Sequence, residues 1–171
     1  MEELRFRNDI LPLKNKLYRL ALRITLDSAE AEDIVQETMI KVWNQRNQLD
    51  TVLSVEAYCM TICRNMALDR KERKESQNQE LTQEMQENSL LDSSTPHESL
   101  VQDERLQIVH QLLNKLPMNY REVMQLRDIE GKTYKEIAQI LNLTEEQVKV
   151  NLFRARQRIR EQFKNIENYG L

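Results

Sequence analysis

The chain has 171 residues, of which 31% are charged and 40% apolar, a balance that excludes a membrane span and suits amphipathic helices packed on small cores. Its two glycines, Gly131 and Gly170, and three prolines are too few for repeated hairpins or a phosphate-cradling loop. The net charge of −3 is unevenly distributed, because eight acidic residues and no Lys or Arg lie between Glu75 and Glu104. Removing these eight from the total of 28 leaves 20 acidic residues against 25 basic ones, so the flanking parts are basic.

The sequence predicts an all-α protein in which two small helical domains are joined by a flexible acidic linker. Its N-terminus has no basic flank followed by an apolar core, so it indicates neither a secretory signal nor a transit peptide, and we expect a cytoplasmic protein. Cys59 and Cys63 are the two cysteines, and neither His97 nor His110 forms a zinc-binding spacing with them. We therefore predict reduced, half-buried thiols, no metal site and no cofactor.

The first predicted domain, residues 1–74, begins with two amphipathic helices. The first follows Pro12, and its residues at helical spacing are Leu13, Leu17, Leu20, Ala21 and Ile24. Asp27 is expected to cap the second helix, which runs from about Ser28 to Arg46, with Glu30 at the capping-box offset. The apolar stripe of this second helix is Ala31, Val35, Thr38, Met39 and Val42.

A third helix is predicted from about Val55 into Arg73, after a break at Asn47–Thr51. The residues predicted along one line of this helix are Tyr58, Ile62, Met66 and Asp69. The following segment, 75–104, is mainly Gln, Glu, Asn and Ser and cannot bury enough apolar area to offset chain entropy. We predict a linker there, while a transient helix through Leu81, Met85, Leu90 and Leu91 stays open.

The second predicted domain, residues 105–171, begins with a helical stripe that stops before Pro117. This stripe is Leu106, Val109, Leu112, Leu113 and Leu116. The next helix carries Tyr120, Val123, Met124 and Leu126. It is predicted to end near Gly131, which suits a left-handed cap residue.

The last two predicted helices have helix-turn-helix spacing. A short helix over Thr133–Leu141 is followed by a turn at Asn142–Leu143, and Thr144 opens a helix through about Gln162. Thr133 with Glu136, and Thr144 with Gln147, each satisfy the capping-box pattern. The residues predicted to form the shared core are Ile137, Ala138, Leu141, Val148, Leu152 and Ala155.

The second of these helices is strongly basic. If it lies in the major groove, residues near its N-terminal end face base edges and arginines further along neutralise phosphates. The candidate base readers are Gln147, Lys149, Val150 and Asn151. The candidate phosphate contacts are Arg154, Arg156 and Arg158. A solvated basic helix in an ordinary bundle is the alternative, but two helices that each begin with a capping box and are joined by a short turn are the more specific pattern.

Two further patterns lie in the first domain. Asp33, Gln36, Glu37 and Ile40 share a face of the second helix that differs from its core stripe, so this face can bind a partner protein, with a solvated acidic face as the open alternative. Five basic residues end the third helix within Arg64–Lys74, where they would also stabilise the helix dipole.

At these three stretches the chain resembles an extracytoplasmic-function (ECF) sigma factor, the smallest class of bacterial sigma factors, with regions 2 and 4 only. Ala31–Trp43 resembles the region 2 helix that binds the clamp helices of the polymerase beta-prime subunit. Ala57–Lys74 resembles the helix that engages the promoter −10 element, and Asn47–Ser54 resembles the loop that captures a flipped non-template base. Leu116–Arg160 resembles region 4, which reads the −35 element.

The resemblance implies a role for particular residues. Polymerase binding falls on Glu32, Asp33, Gln36 and Glu37, with Ile40 on the same face. Contact with the −10 element falls on Asn65, Asp69, Arg70 and Arg73. The implied partners are core polymerase, through its beta-prime clamp helices and beta flap, promoter DNA, and an anti-sigma factor that can hold the chain at the inner membrane. No catalytic residue and no small-molecule substrate are implied.

The start of the recognition helix departs from the family pattern, because Glu145 and Glu146 stand where relatives often carry small residues. Carboxylates there favour the helix dipole but repel phosphate. The competing hypothesis is a stand-alone helix-turn-helix regulator that binds its operator without polymerase. An enzyme is disfavoured, because the sequence has no metal spacing, no nucleophile–base pair and no glycine-rich loop.

Overall fold

The computed structural model describes residues 6–51, 54–77 and 104–168, and all regular structure in these ranges is helical. The first range opens with a short π-helix, Phe6–Ile10, and a 3₁₀ turn, Leu11–Leu13, and continues into α1 (Lys14–Thr25) and α2 (Ser28–Asn44). A 3₁₀ segment, Arg46–Thr51, precedes α3 (Val55–Gln77). The predicted linker and its possible transient helix lie almost wholly in 78–103, outside the described residues.

The third range contains four α-helices. These are α4 (Glu104–Lys115), α5 (Met118–Met124), α6 (Tyr134–Leu141) and α7 (Glu145–Asn168). A π-helical turn, Gln125–Ile129, continues α5. Helix α7 runs six residues beyond the end predicted for it. The chain divides into two compact units, here called the N-terminal unit and the C-terminal unit, and each has its own core. No helix in the described ranges is long and apolar enough to cross a membrane.

Helices α1, α2 and α3 pack against one another to form the core of the N-terminal unit. The predicted stripe of α2 is confirmed, and so is that of α1 except for Leu13, which is half-buried in the 3₁₀ turn before the helix. The buried residues of α1 include Leu17, Leu20, Ala21 and Ile24, and those of α2 are Ala31, Ile34, Val35, Thr38, Met39 and Val42. Asp27 caps α2 as predicted, because its carboxylate accepts hydrogen bonds from the backbone N–H groups of Ala29 and Glu30.

The line predicted along α3 is only partly buried. Ile62 is buried, but Tyr58 and Met66 are half-buried and Asp69 is exposed. The buried residues of the helix are Ala57, Cys59, Met60, Ile62, Cys63 and Ala67. This helix contacts both α1 and α2, so its buried arc is broad and is filled largely by small side chains that hydrophobic periodicity underweights.

The two cysteines are fully buried, which corrects the prediction of half-buried thiols. Burial raises the pKa of Cys59 to about 11 and that of Cys63 to about 12. The Cys63 thiol also donates to the carbonyl oxygen of Leu17, 3.4 Å away. Both groups are therefore protonated, unreactive parts of the core.

The core of the C-terminal unit joins α4, α5 and α7 around Leu113, Leu116 and Ala155. Gly131 has a φ of +71°, as the predicted left-handed end of the preceding helix requires. Of the residues predicted for the helix-turn-helix core, Ala138 is half-buried. The buried ones are Ile137, Leu141, Val148, Leu152 and Ala155.

Candidate functional site

The acidic face of α2 is exposed along its length, opposite the stripe that packs into the core. This surface is called the α2 strip, and its members are Glu32, Asp33, Gln36, Glu37 and Ile40, all exposed. Ile40 is 60% exposed, a large apolar side chain among carboxylates. The α2 strip therefore combines negative charge with an apolar contact point on one rigid helix.

One residue of α3 reaches into this acidic face. The guanidinium of Arg70 contacts the carboxylates of Glu30 at 3.1 Å, Glu37 at 2.7 Å and Asp33. Burial lowers the pKa of Arg70, but the hydrogen bonds to Asp33, Glu30 and Glu37 outweigh burial and raise it above its ordinary value. One turn further on, Lys74 Nζ lies 2.8 Å from Asp27 Oδ2, so α3 is tied to α2 by a second ion pair.

The other residues predicted for the −10 element form an exposed stripe on α3. Asn65, Asp69 and Arg73 follow one another at intervals of four residues, so they share a face, and Arg73 pairs with Asp69 at 3.1 Å. Arg70 lies about 100° around the helix from Asp69 and faces α2. The structure thus brings three of the four predicted residues together and separates Arg70 from them.

Both helices of the helix-turn-helix begin at capping boxes, as predicted. The Thr133 hydroxyl accepts the N–H of Glu136, whose carboxylate accepts the N–H of Thr133. At the second helix, the Thr144 hydroxyl accepts the N–H of Gln147, and the Gln147 side-chain oxygen accepts the N–H of Thr144 at 3.0 Å. Asn142, in the turn between them, has a left-handed φ of 55°.

The predicted DNA contacts of α7 are mostly on its outer surface. Those that are exposed are Gln147, Lys149, Val150, Arg154 and Arg158. Asn151 and Arg156 are half-buried. Because the side-chain amide oxygen of Gln147 accepts the N–H of Thr144 in the capping box, the Gln147 side chain is fixed at the helix start.

Three of the basic residues are held by neighbours. Arg156 Nε lies 3.2 Å from Asp128 Oδ2, and its Nη2 contacts the other carboxylate oxygen. Lys149 lies over the Tyr134 ring at 5.7 Å, and Arg158 lies over the Tyr120 ring at 5.0 Å. Aromatic faces and one carboxylate thus fix cations that would otherwise be flexible.

Two features of this region were missed by the sequence analysis. Phe153 is 68% exposed and lies three residues after the exposed Val150, so an apolar patch stands beside the basic residues. Its spacing from Val150 was a usable signal. The Asp128 partner of Arg156 was not predictable, because it comes from a different element, 28 residues away.

The sequence matches the family Sigma-70 region 2 over residues 10–77 and Sigma-70 region 4 over residues 106–159. It is 33% identical to the ECF RNA polymerase sigma factor SigL of Mycobacterium tuberculosis over 80% of this chain and 76% of that protein. It is 32% identical to the ECF RNA polymerase sigma factor SigM of Bacillus subtilis over 85% of this chain and 87% of that protein. The chain belongs to the ECF RNA polymerase sigma factors.

Two solved structures share the fold of this ECF sigma factor. The sigma factor RpoE, in complex with the anti-sigma factor NepR from Bartonella quintana, has a TM-score of 0.77 at 24% identity and covers 93% of this chain and 96% of its own. CnrH, in complex with the cytosolic domain of CnrY, has a TM-score of 0.67 at 20% identity and covers 94% of this chain and 88% of its own.

The predicted fold class, two helical sigma domains, is therefore confirmed. The predicted function is confirmed as well: the chain is a transcription initiation factor whose partners are core RNA polymerase and promoter DNA. These matches give no support to a stand-alone helix-turn-helix regulator. Sigma factors as a family are not enzymes.

Proposed function

We propose that this ECF sigma factor binds the beta-prime clamp helices of core polymerase through the α2 strip. The supporting observation is the exposure of all five strip residues on a helix whose other side is buried in the core. A rigid helix that presents carboxylates around one exposed isoleucine fits a partner offering basic side chains and an apolar contact.

The exposed stripe of α3 is the −10 contact in this proposal. Asn65 can both donate and accept hydrogen bonds, Asp69 accepts and Arg73 donates, so the stripe can satisfy the edges of unpaired bases. Promoter opening needs no bond chemistry, and its free-energy cost is met by holding bases outside the stack. The segment 47–54, proposed to capture a flipped base, includes Val52 and Leu53, which lie outside the described residues.

Helix α7 is the −35 contact. Lys149, Arg154 and Arg158 supply exposed positive charge, and Gln147 stands at the helix N-terminus, the end that approaches base edges in helix-turn-helix proteins. The exposed Phe153 adds an apolar group that can contact a thymine methyl. Glu145 and Glu146 place negative charge at the same end, so we expect them to limit how closely this helix approaches phosphates.

Three further assignments belong to the same proposal. The predicted second domain, residues 105–171, meets the beta flap, and the acidic linker 75–104 connects it to the predicted first domain, residues 1–74. The chain itself catalyses no reaction. Because two proteins of the same fold were solved with the anti-sigma factor NepR and with the cytosolic domain of CnrY, we infer that a protein of that kind binds this chain and can hold it at the inner membrane.

Transcription in vitro from a fragmented genome tests the function as a whole. Core polymerase with the purified full chain is expected to produce transcripts from discrete sites, and core polymerase alone should not. A chain that protects an operator from cleavage without polymerase, and adds no transcripts with it, would sink the proposal.

Variants of the α2 strip test the residue assignment. We expect Asp33→Asn with Glu37→Gln to weaken binding to core polymerase by about tenfold or more, as loss of central interface charges does. The matched control is Glu161→Gln, an exposed carboxylate of α7 outside the strip. Equal polymerase affinity for both variants would refute the assignment of the strip.

A further inference from the structure

We propose that Arg70 is a positioning residue for polymerase binding: it holds Asp33 and Glu37 in the orientation in which the α2 strip meets its partner. This inference rests on the proposed polymerase-binding role of the strip. It moves Arg70 from the promoter surface implied by sequence resemblance to the polymerase surface.

The geometry of the cluster separates a holding group from presented groups. The Arg70 side chain is 22% exposed, whereas Asp33 is 56% and Glu37 is 52% exposed. Its Nη1 contacts Asp33 and its Nη2 contacts Glu37, so the two arms of one planar group fix both carboxylates. The guanidinium therefore lies beneath the surface that the carboxylates form.

The ion pairs leave the carboxylates able to bind a partner. Arg70 contacts Oδ2 of Asp33 and Oε2 of Glu37, and a carboxylate has acceptor sites for about four hydrogen bonds. One guanidinium faces three carboxylates, the third being that of Glu30, so the surface stays negative. Arg70 thus orients the acidic groups without cancelling their charge.

The spacing of the acids explains why they need a holding group. Glu30, Asp33 and Glu37 stand three and four residues apart, where like charges on a helix repel one another. Glutamate side chains also have several rotamers, and binding must select one of them. A guanidinium between the three carboxylates offsets part of this repulsion and restrains their rotamers before polymerase binds.

The surroundings of Arg70 disfavour a promoter contact. A phosphate approaching its guanidinium would meet the carboxylates of Glu30, Asp33 and Glu37 at the same place. Arg73, three residues further along, has a side chain that is 73% exposed and pairs with Asp69, its neighbour in the proposed −10 stripe, so it belongs to the promoter surface of this proposal. The two arginines of one helix are thus assigned to two different partners.

The test compares Arg70→Gln with Lys74→Gln in the full chain. Both variants remove one positive charge from α3, but Arg70 pairs with three carboxylates of α2, two of them in the strip, whereas Lys74 pairs with Asp27, which is not part of the strip. We expect Arg70→Gln to raise the Kd for core polymerase by about tenfold and Lys74→Gln by less than about twofold. Arg70→Lys keeps the charge without the planar fork, and its Kd should fall between the two.

Two readouts separate positioning from a structural role. In an Asp33→Asn background, Arg70→Gln should have a smaller effect on the polymerase Kd than in the wild-type chain, because one carboxylate that it orients is gone. With polymerase saturated by the variant, the affinity of the assembled holoenzyme for −10 DNA should equal that of the wild type. Thermal unfolding shows whether Arg70→Gln folds, and Arg70→Lys carries the test if it does not.

The other outcomes would overturn the inference in distinguishable ways. If Arg70→Gln assembles normally with polymerase but loses −10 binding, Arg70 is a promoter contact. If the variant binds polymerase more tightly than the wild type, Arg70 instead blocks the strip. Equal defects in Arg70→Gln and Lys74→Gln would reduce it to a general tie between helices. A wild-type chain that does not bind core polymerase would instead refute the proposed function itself.

Discussion

The two units place charged residues at their surfaces by different means. In the N-terminal unit, the acids of α2 are paired with basic residues of α3, so Arg70 and Lys74 join two helices that carry different proposed contacts. In the C-terminal unit, the basic residues proposed to contact DNA lie on the single helix α7, whose start is fixed by the local box of Thr144 and Gln147, and Arg156 among them pairs with Asp128 of a different element.

This difference predicts different responses to mutation. In the N-terminal unit, loss of one charge releases a partner on another helix, so the effects of neighbouring substitutions are coupled. In the C-terminal unit, exposed cations such as Arg154 act on DNA separately, and their effects should add. Stability in the C-terminal unit depends instead on the buried core and on the helix caps of the helix-turn-helix.

The largest expected effect comes from truncating a buried core residue of that motif. Ile137 in α6 is fully buried, so Ile137→Ala should destabilise the C-terminal unit by about 2–5 kcal/mol through lost burial and the cavity left behind. Urea unfolding measures the loss, and −35 DNA binding should fall with it. Lys135→Ala on the exposed side of the same helix is the control and should change stability by less than about 0.5 kcal/mol. Equal unfolding midpoints for the two variants would contradict the role of Ile137.

The helix-turn-helix was predictable because its signals are local. Thr133 with Glu136, and Thr144 with Gln147, stand three residues apart, and a side chain at that distance meets the backbone of its own helix whatever surrounds it. The exposed α2 strip was predictable for a similar reason, since one stripe of the helix was clearly apolar. Spacing thus predicts where these helices begin, and it predicts the outward face of a helix that has one clear apolar stripe.

The contacts between helices were not predictable in the same way. The buried arc of α3 includes Cys59, Cys63 and Ala67, small side chains that give little periodic signal. The partners of Arg70 depend on how α3 is rotated about its axis against α2. Arg70 and its neighbour Asp69 lie about 100° apart around that axis, so they face different surroundings. Spacing along the chain therefore indicates the helix that carries Arg70, but not that its guanidinium pairs with carboxylates of α2.

The next effect distinguishes two arginines of α7. Arg154 is exposed, whereas Arg156 is paired with Asp128, whose carboxylate must be displaced or shared if a phosphate is to bind. Arg154→Gln should weaken holoenzyme binding to −35 DNA by about three- to tenfold and reduce the salt slope by about 1. Arg156→Gln should have a smaller effect on both. A larger salt-slope change for Arg156 would show that its ion pair opens on DNA.

A smaller effect is expected at the cap of the recognition helix. Thr144→Ala removes the acceptor for the Gln147 N–H and should cost about 1 kcal/mol of unfolding free energy. Thr144→Ser keeps the hydroxyl and is the matched control. Since Gln147 is held by the same box, −35 affinity should also fall for the alanine variant and recover in the serine variant. An alanine variant as stable as the serine variant would contradict a capping role.

The smallest expected effect comes from neutralising Asp27. This N-cap residue is charged and paired with another helix, whereas Thr144, the N-cap residue in the C-terminal unit, is neutral. Burial raises the pKa of Asp27, but the Lys74 pair and the backbone N–H groups of Glu30 and Ala29 outweigh burial and lower it below its usual value. A carboxyl whose folded-state pKa is depressed stabilises the fold above its unfolded-state pKa of about 3.9, and that stabilisation is lost as pH falls through the folded-state value. Asp27→Asn keeps a capping oxygen but loses the charge.

Near neutral pH the wild-type chain should therefore be more stable than Asp27→Asn by less than about 1 kcal/mol, since the Lys74 pair is partly exposed. The difference should shrink as pH falls below about 4, measured by chemical unfolding across pH. Lys74→Gln should reduce this pH dependence. The stability loss in Thr144→Ala should not change with pH, because neither Thr144 nor its partner Gln147 titrates. A difference between wild type and Asp27→Asn that stays constant with pH would mean that Asp27 acts by capping alone, and that its ion pair with Lys74 does not stabilise the N-terminal unit.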